Sequence, residues 1–284
     1  MDYITAVQFG KDTILTGVSH FDLAQTLDNG QAFRWSRCEA ENETTAVTYT
    51  GIAHGRRLDL TFADSALILK NVPLDEFEST WKIYFDFSRS YAQLRNHLSE
   101  NAAMTQALEF SPGLRLMRQD PWETLISFIL SQNSNIPRIK KMISALCENF
   151  GKTLPCGGHA FPPPEILATL TPSDLDPIKS GYRAAYVIDA ARRATDGSVN
   201  PYTLCEKTSD EIHAALLQIH GVGPKVAECV LLYGFGRIER FPLDIWMKRV
   251  MSALYPHGFP NEILPYSGIA QQFLFHYART NKLF

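Results

Sequence analysis

The chain has 284 residues, 45% hydrophobic and 20% charged, an ordinary globular balance with length for a substantial core and two packed domains. A net charge of −3 excludes a general polyanion binder, but residues 1–110 hold 9 Lys/Arg against 15 Asp/Glu and residues 111–284 hold 18 against 15, so the halves differ in sign. No apolar run approaches the roughly 20 residues of a membrane span, and the N-terminal MDYITAVQFGKD has neither a basic stretch nor an apolar leader core, which predicts an intracellular protein.

Before about residue 72 the pattern is strand-like. The runs VQFG, ILTG, QAFRWS, TAVTYTGIA, RRLDLTFA and ALILK are each bounded by Gly, Asn or Asp, which predicts an antiparallel sheet. Helical spacing takes over from Leu74, through Phe77, Trp81, Tyr84 and Phe85 and then Tyr91, Leu94 and Leu98. Asp120-Pro121-Trp122-Glu123 reads as an N-cap with proline at the first helical position. A helix from Arg138 to Phe150 is stopped by Gly151, PCGGHAFPPPE is a loop, and further helices start near Pro164, Pro172, Tyr182, Ser209, Pro224 and Asp244. The fold class is α+β: a β-rich domain over 1–110, then a mostly helical domain over 111–284.

Basic residues cluster at Arg115, Arg118, Arg138, Lys140 and Lys141, and again at Lys179, Arg183, Arg192 and Arg193, which predicts a DNA-binding face on the second half. Cys38, Cys147, Cys156, Cys205 and Cys229 form no CxxC, and the eight histidines form no metal motif, so free thiols and no cofactor or side-chain metal site are expected.

The chemistry-bearing stretch is IHGVGPKVAECVLLYGFGRIERFPLD at 219–244. A helix over Ser209–Ile219, a tight turn at His220–Gly223 and a second helix from Pro224 form a hairpin, with Gly221 and Gly223 permitting positive φ and close approach of another backbone. Its amides would face outward at a helix N-terminus, where an anion can bind. Lys225, one residue further, is either a phosphate contact or an amine nucleophile. A Schiff-base lysine must shed its proton, which partial burial and a positive environment favour. Asp244 fits an ordinary N-cap, and equally a carboxylate that stabilises an oxocarbenium-like sugar cation.

The pair HGVGPKVAEC and FPLDIWMKRV resembles the helix-hairpin-helix (HhH-GPD) DNA glycosylases. LDNGQAFRW at 27–35, LRLMRQDPWETLISFILSQNSNIPRIKKM at 114–142, GYRAAYVIDAAR at 181–192 and IAQQFLFHYA at 269–278 resemble the 8-oxoguanine DNA glycosylase/AP lyase subfamily in order. That resemblance implies a TBP-like N-terminal sheet, a monomer, and double-stranded DNA containing 8-oxoguanine as partner, in the nucleoid or cytoplasm of a bacterium or the nucleus of a eukaryote. It implies Lys225 as nucleophile and Asp244 as its electrostatic partner. Gly30 would accept from the N7–H that distinguishes the lesion from guanine, Cys229 and Phe275 would sandwich the flipped base, and Gln271 would bond its Watson–Crick edge. Asn133, Tyr182, Arg138 and Arg183 would fill the vacated stack and hold the partner cytosine, while Gly221, Gly223 and Trp246 would meet the backbone. Trp246 departs from the family, many of whose members place a phosphate-contacting histidine there; an indole carries no charge.

Two other readings remain open. A monofunctional alkylated-base glycosylase of the same fold lacks a lysine at this place, and a non-catalytic DNA-binding module would use Lys225 only as charge. An iron–sulfur endonuclease III-type enzyme is excluded by the missing cysteine cluster.

Overall fold

Period-two burial builds the N-terminal sheet. The computed structural model describes residues 1–38 and 46–282. Strands β1 (Thr5–Phe9), β2 (Asp12–Thr16), β3 (Trp35–Arg37), β4 (Val47–Ala53), β5 (Arg56–Ala63) and β6 (Ala66–Leu69) form one sheet in the order β1-β2-β6-β5-β4-β3. Register pairs Leu15 with Leu67 and Leu60 with Leu69, all four fully buried, so one face is continuous leucine. Gly51 lies opposite Trp35, and a Cβ there would sit 2.4 Å from the indole, so the small residue admits the ring. Trp35 donates its indole N–H to the Tyr84 hydroxyl at 2.9 Å, satisfying a polar group inside the aromatic core.

The sequence pattern places these strands well, with two differences. The expected strand over QAFRWS is strand only from Trp35; Gln31 to Arg34 are loop. The reason is a buried polar side chain. Gln31 is 1% exposed, donates to the Thr26 and Arg115 carbonyls at 2.8 Å each, and accepts from the Met117 amide at 2.9 Å, which draws it away from a ladder. A short helix α1 (Leu23–Leu27), capped by Asp22 on the Gln25 amide, precedes that loop and was not foreseen. Thr45, where the TAVTYTGIA run starts, lies outside the described residues.

Helical structure then runs through α2 (Leu74–Glu76), a π-helical turn (Phe77–Trp81), α3 (Lys82–Tyr84), α4 (Tyr91–Ser99) and α5 (Ala102–Phe110). Next come α6 (Pro121–Ser131), α7 (Ile136–Phe150), α8 (Pro164–Ala168), a 3-10 helix (Pro172–Ile178), α9 (Arg183–Asp196), α10 (Ser209–Leu216), α11 (Pro224–Tyr233), α12 (Ile245–Leu254) and α13 (Ser267–Thr280). The caps are those the sequence announced: Asp120 accepts from the Glu123 amide at 2.8 Å, and Asp244 from the Met247 amide at 2.8 Å.

Two compact units organise the chain, dividing it by contact rather than at residue 110. The first comprises Met1–Gly51, Leu58–Arg118 and Leu243–Phe284; the second comprises Ile52–Arg57 and Gln119–Pro242. In the first, α13 packs on α5 and α12, so its helices complete a core begun by the sheet. In the second, α6 packs on α7, α9 and α11, and its residues from Leu125 to Leu130 are all buried. Among the described residues, no helix is long and apolar enough to cross a membrane.

Candidate nucleic-acid and catalytic site

The expected residues divide between the two units. Asn133, Arg138, Tyr182, Arg183, Gly221, Gly223, Lys225 and Cys229 belong to the second, and Gly30, Asp244, Trp246, Gln271 and Phe275 to the first.

The hairpin of the second unit runs from α10 through His220–Gly223 into α11. Gly221 has φ 81°, and a Cβ on it would lie 2.2 Å from the Tyr186 ring of α9. Glycine is required there on both counts. Asp189, one turn further along α9, accepts the His220 amide at 2.8 Å and pairs with Arg193 at 2.9 Å, so α9 clamps the turn. Gly223 differs from its expectation: φ is −96°, an ordinary value, and a Cβ would meet nothing within 4 Å. Space outside the protein, not backbone strain, surrounds it. The amides of Gly221, Gly223, Lys225 and Val226 face no acceptor among the described residues, leaving a cluster of donors at a helix N-terminus.

Lys225 is exposed, against the partial burial expected of it. Its ammonium lies 5.3 Å from the centroid of Phe128, whose ring stacks on Tyr233 at 5.3 Å and 10°. An aromatic shelf thus fixes the amine in place without enclosing it. Cys229, one turn on, is 3% exposed. Glu228, between them, accepts the Phe241 amide at 3.2 Å and lies 3.5 Å from both Arg240 and His213, tying the segment that leads to Asp244.

Asn133 is exposed at φ 46°, Arg138 is exposed on the first turn of α7, and Tyr182 is 53% exposed at the start of α9. These three project outward. Arg183 does not: it is 3% exposed and bonds backbone carbonyls of Gln132, Asn133 and Ser180. Arg115, counted with the basic face, is wholly buried. It pairs with Asp2 at 2.9 Å and donates to the carbonyls of His20, Phe85, Asp86 and Arg89. Both arginines leave the predicted face because residue type alone does not tell a solvated cation from a buried one.

In the first unit, Gly30 sits at φ 89° in a loop between Asn29 and Gln31, each 1% exposed. Arg279 of α13 donates to the Asn29 carbonyl at 3.3 Å and lies 5.7 Å from the Phe275 ring, so one guanidinium joins that loop to the half-buried phenylalanine. Burial lowers the Arg279 pKa, with Asp28 opposing. The sequence reading missed Arg279, although it stands four residues after Phe275 on one helix face. Gln271 is 4% exposed and its Oε1 is buried with no partner, an acceptor left for something else. Asp244 caps α12. Trp246 in its first turn is half-buried, with the Arg249 guanidinium 5.6 Å from the indole. Among the described residues, no group of three or more His, Cys, Asp or Glu could hold a metal.

Comparison with known proteins gives the family. Residues 13–125 match the 8-oxoguanine DNA glycosylase N-terminal domain, and residues 126–262 match the HhH-GPD superfamily of base excision DNA repair proteins. An N-glycosylase/DNA lyase of Saccharomyces cerevisiae is 32% identical over 274 residues, covering 87% of this chain and 71% of that one. A probable N-glycosylase/DNA lyase of Methanothermobacter thermautotrophicus is 28% identical, covering 84% of each. The crystal structure of Clostridium acetobutylicum 8-oxoguanine glycosylase/lyase, in complex with duplex DNA containing cytosine opposite 8-oxoguanine, superposes with a TM-score of 0.91 at 34% identity over 100% of both chains.

Proposed function

Because this chain belongs to the 8-oxoguanine DNA glycosylase family of the HhH-GPD superfamily, we propose that it is a bifunctional glycosylase/AP lyase. It removes 8-oxoguanine opposite cytosine from double-stranded DNA in base excision repair, acting as a monomer where the cell keeps its DNA. The proposed helical catalytic domain begins near residue 111, after the β-rich domain.

The target atom is buried in a duplex, so the nucleotide must first be extruded. The neutral amine of Lys225 then attacks the sugar C1′ and the base departs. Ring opening gives an imine between Nζ and C1′; loss of a C2′ proton expels the 3′ phosphate. Asp244 stabilises positive charge on the sugar in these steps. No cofactor enters them.

Guanine presents an acceptor at N7, whereas 8-oxoguanine presents N–H, so the Gly30 carbonyl selects the lesion. The unpartnered oxygen of Gln271 suits the N–H donors of the base's Watson–Crick edge. Phe275 and Cys229 take the two faces of the ring. Asn133 and Tyr182 occupy the vacated stack, and Arg138 donates to the unpaired cytosine with Arg183 in the same group. The free amides around Gly221 and Gly223 hold a phosphate. Trp246 offers one indole N–H to the backbone, and Arg249 on its ring supplies the charge the indole lacks.

The observation that carries this reading is the exposed amine of Lys225, seated on Phe128 beside a hairpin whose Gly221 and Gly223 amides have no acceptor among the described residues. A nucleophile and a phosphate grip therefore share one turn. Borohydride trapping tests it. Wild-type protein is expected to cross-link to a duplex with 8-oxoguanine opposite cytosine, and Lys225→Gln to lose both the adduct and about 10³-fold or more in excision rate. Incision by the wild type without any trapped adduct removes the imine mechanism.

A further inference from the structure

Whether the loop at Gly30 offers an acceptor or a donor depends on which way one peptide plane faces. In a trans peptide the carbonyl and the N–H point in opposite directions. The plane between Gly30 and Gln31 therefore presents either the Gly30 oxygen or the Gln31 N–H. Gly30 is a loose hinge for that plane: it stands at φ 89° and has no side chain to favour one orientation. Among the described residues the Gly30 carbonyl itself meets no donor, so nothing holds it directly.

Both planes beside the hinge are pinned from elsewhere in the first unit. The Gln31 N–H donates to Asn29 Oδ1 at 3.2 Å, and Asn29 Nδ2 donates to the Gln25 carbonyl of α1 at 2.8 Å. Asn29 is 1% exposed, so the N–H is turned inward and the Gly30 carbonyl is turned the other way. On the preceding plane, Arg279 Nη1 donates to the Asn29 carbonyl at 3.3 Å. The Gln31 side chain is tied separately to Thr26, Arg115 and Met117, which leaves the plane as the element still to be set.

We propose that Asn29 is a specificity-determining residue: its amide locks the Gly30–Gln31 plane with the carbonyl outward, and Arg279 locks the plane before it. This inference rests on the proposed function. A reversed plane would set an N–H against the N7–H of 8-oxoguanine and offer that same N–H to N7 of ordinary guanine, an acceptor. The lock thus decides the sign of the discrimination and not only its size. Asparagine suits the place because one side chain must accept from an amide and donate to a carbonyl at once. A carboxylate keeps only the accepting half, and a hydrocarbon keeps neither.

The test compares wild type, Asn29→Leu, Asn29→Asp and Arg279→Met. Leucine and aspartate both lose the donor to Gln25 and nearly match asparagine in size; only aspartate retains the acceptor. In a Lys225→Gln background, anisotropy gives the affinities for duplexes with 8-oxoguanine or guanine opposite cytosine. Asn29→Leu should cut the ratio of those affinities at least about tenfold, and Asn29→Asp should keep it within about threefold. With Lys225 in place, Asn29→Leu should slow single-turnover excision of 8-oxoguanine about 30-fold. Its incision at a preformed abasic site should stay within about threefold of wild type, since no base is read there. An unchanged ratio in Asn29→Leu, an equal loss in Asn29→Asp, or an equal loss at the abasic site would each make Asn29 a structural residue and overturn the proposal. Arg279→Met leaves Asn29 in place and should lower the ratio about threefold. If Asn29→Leu does not fold, an unchanged ratio in Arg279→Met overturns the proposal instead. Hydrogen exchange of the free proteins needs no lesion. Peptides spanning residues 28–33 should exchange faster in Asn29→Leu than in wild type or Asn29→Asp, and equal exchange overturns the lock. A wild type inert on every lesion duplex would remove the proposed function, while the exchange arm still decides whether Asn29 fixes the loop.

Discussion

Arg115 and Arg183 are both buried, both spend their donors on backbone carbonyls, and both stack on aromatic rings, yet their surroundings differ in one respect. Arg115 has a carboxylate: Asp2 lies 2.9 Å away, itself 3% exposed and also accepting the Tyr91 amide at 2.6 Å. Arg183 has no carboxylate within ion-pair distance among the described residues. The first cation is neutralised and knits a core. The second has only neutral carbonyls around it and ties two loops beneath two exposed side chains. Counter-charge thus separates an arginine that serves stability from one that serves a surface.

The comparison predicts its own sharpest test. Arg115→Met leaves Asp2 buried without its cation and should cost about 3–5 kcal/mol in urea denaturation. Arg183→Met removes bonds to neutral loop carbonyls and strands no opposite charge, and should cost only about 1–2 kcal/mol. Equal losses would show that counter-charge is not what distinguishes them. A smaller contrast concerns the hairpin glycines. Gly221→Ala must strain φ 81° and press on Tyr186, for about 1–3 kcal/mol in thermal melting. Gly223→Ala should leave stability within about 0.5 kcal/mol while weakening duplex binding about tenfold by anisotropy, because its added methyl meets no protein atom. Unchanged binding by Gly223→Ala would mean that nothing approaches that turn.

The smallest expected effect is on pH dependence. His20 and His276, both half-buried, have pKa values lowered, chiefly by burial. The unfolded chain therefore binds protons near pH 6.5 that the folded chain refuses, so their contribution is complete above that pH and declines as pH falls through it toward the lowered values. A melting temperature a few degrees lower at pH 5.5 than at 7.5 is expected, and a rise over that window would contradict it.

Strands and helix starts were legible because their signals are local: Leu58 and Leu60 alternate with solvent-facing neighbours, and Asp120 and Asp244 stand one residue before the helices they cap. The failures have the opposite character. Gln31 was read as strand because its partners, Thr26, Arg115 and Met117, include two more than 80 residues away. Arg115 was counted as surface charge because its partner Asp2 is 113 residues distant. Phe128 under Lys225 belongs to a helix whose spacing was plain and Arg279 beside Phe275 to one that no spacing announced, and no pattern said what either side chain would meet.

The bond from Arg279 to the Asn29 carbonyl spans 250 residues and has a consequence in time. The loop that carries Gly30 precedes the whole of the second unit in the sequence, and the helix that steadies it follows it. The first compact unit closes only after the whole of the second has been made. A growing chain thus acquires its hairpin and Lys225 before the loop of Gly30 is braced. Long-range closure of this kind slows folding. It also means that the proposed selectivity, unlike the proposed nucleophile, waits for α13.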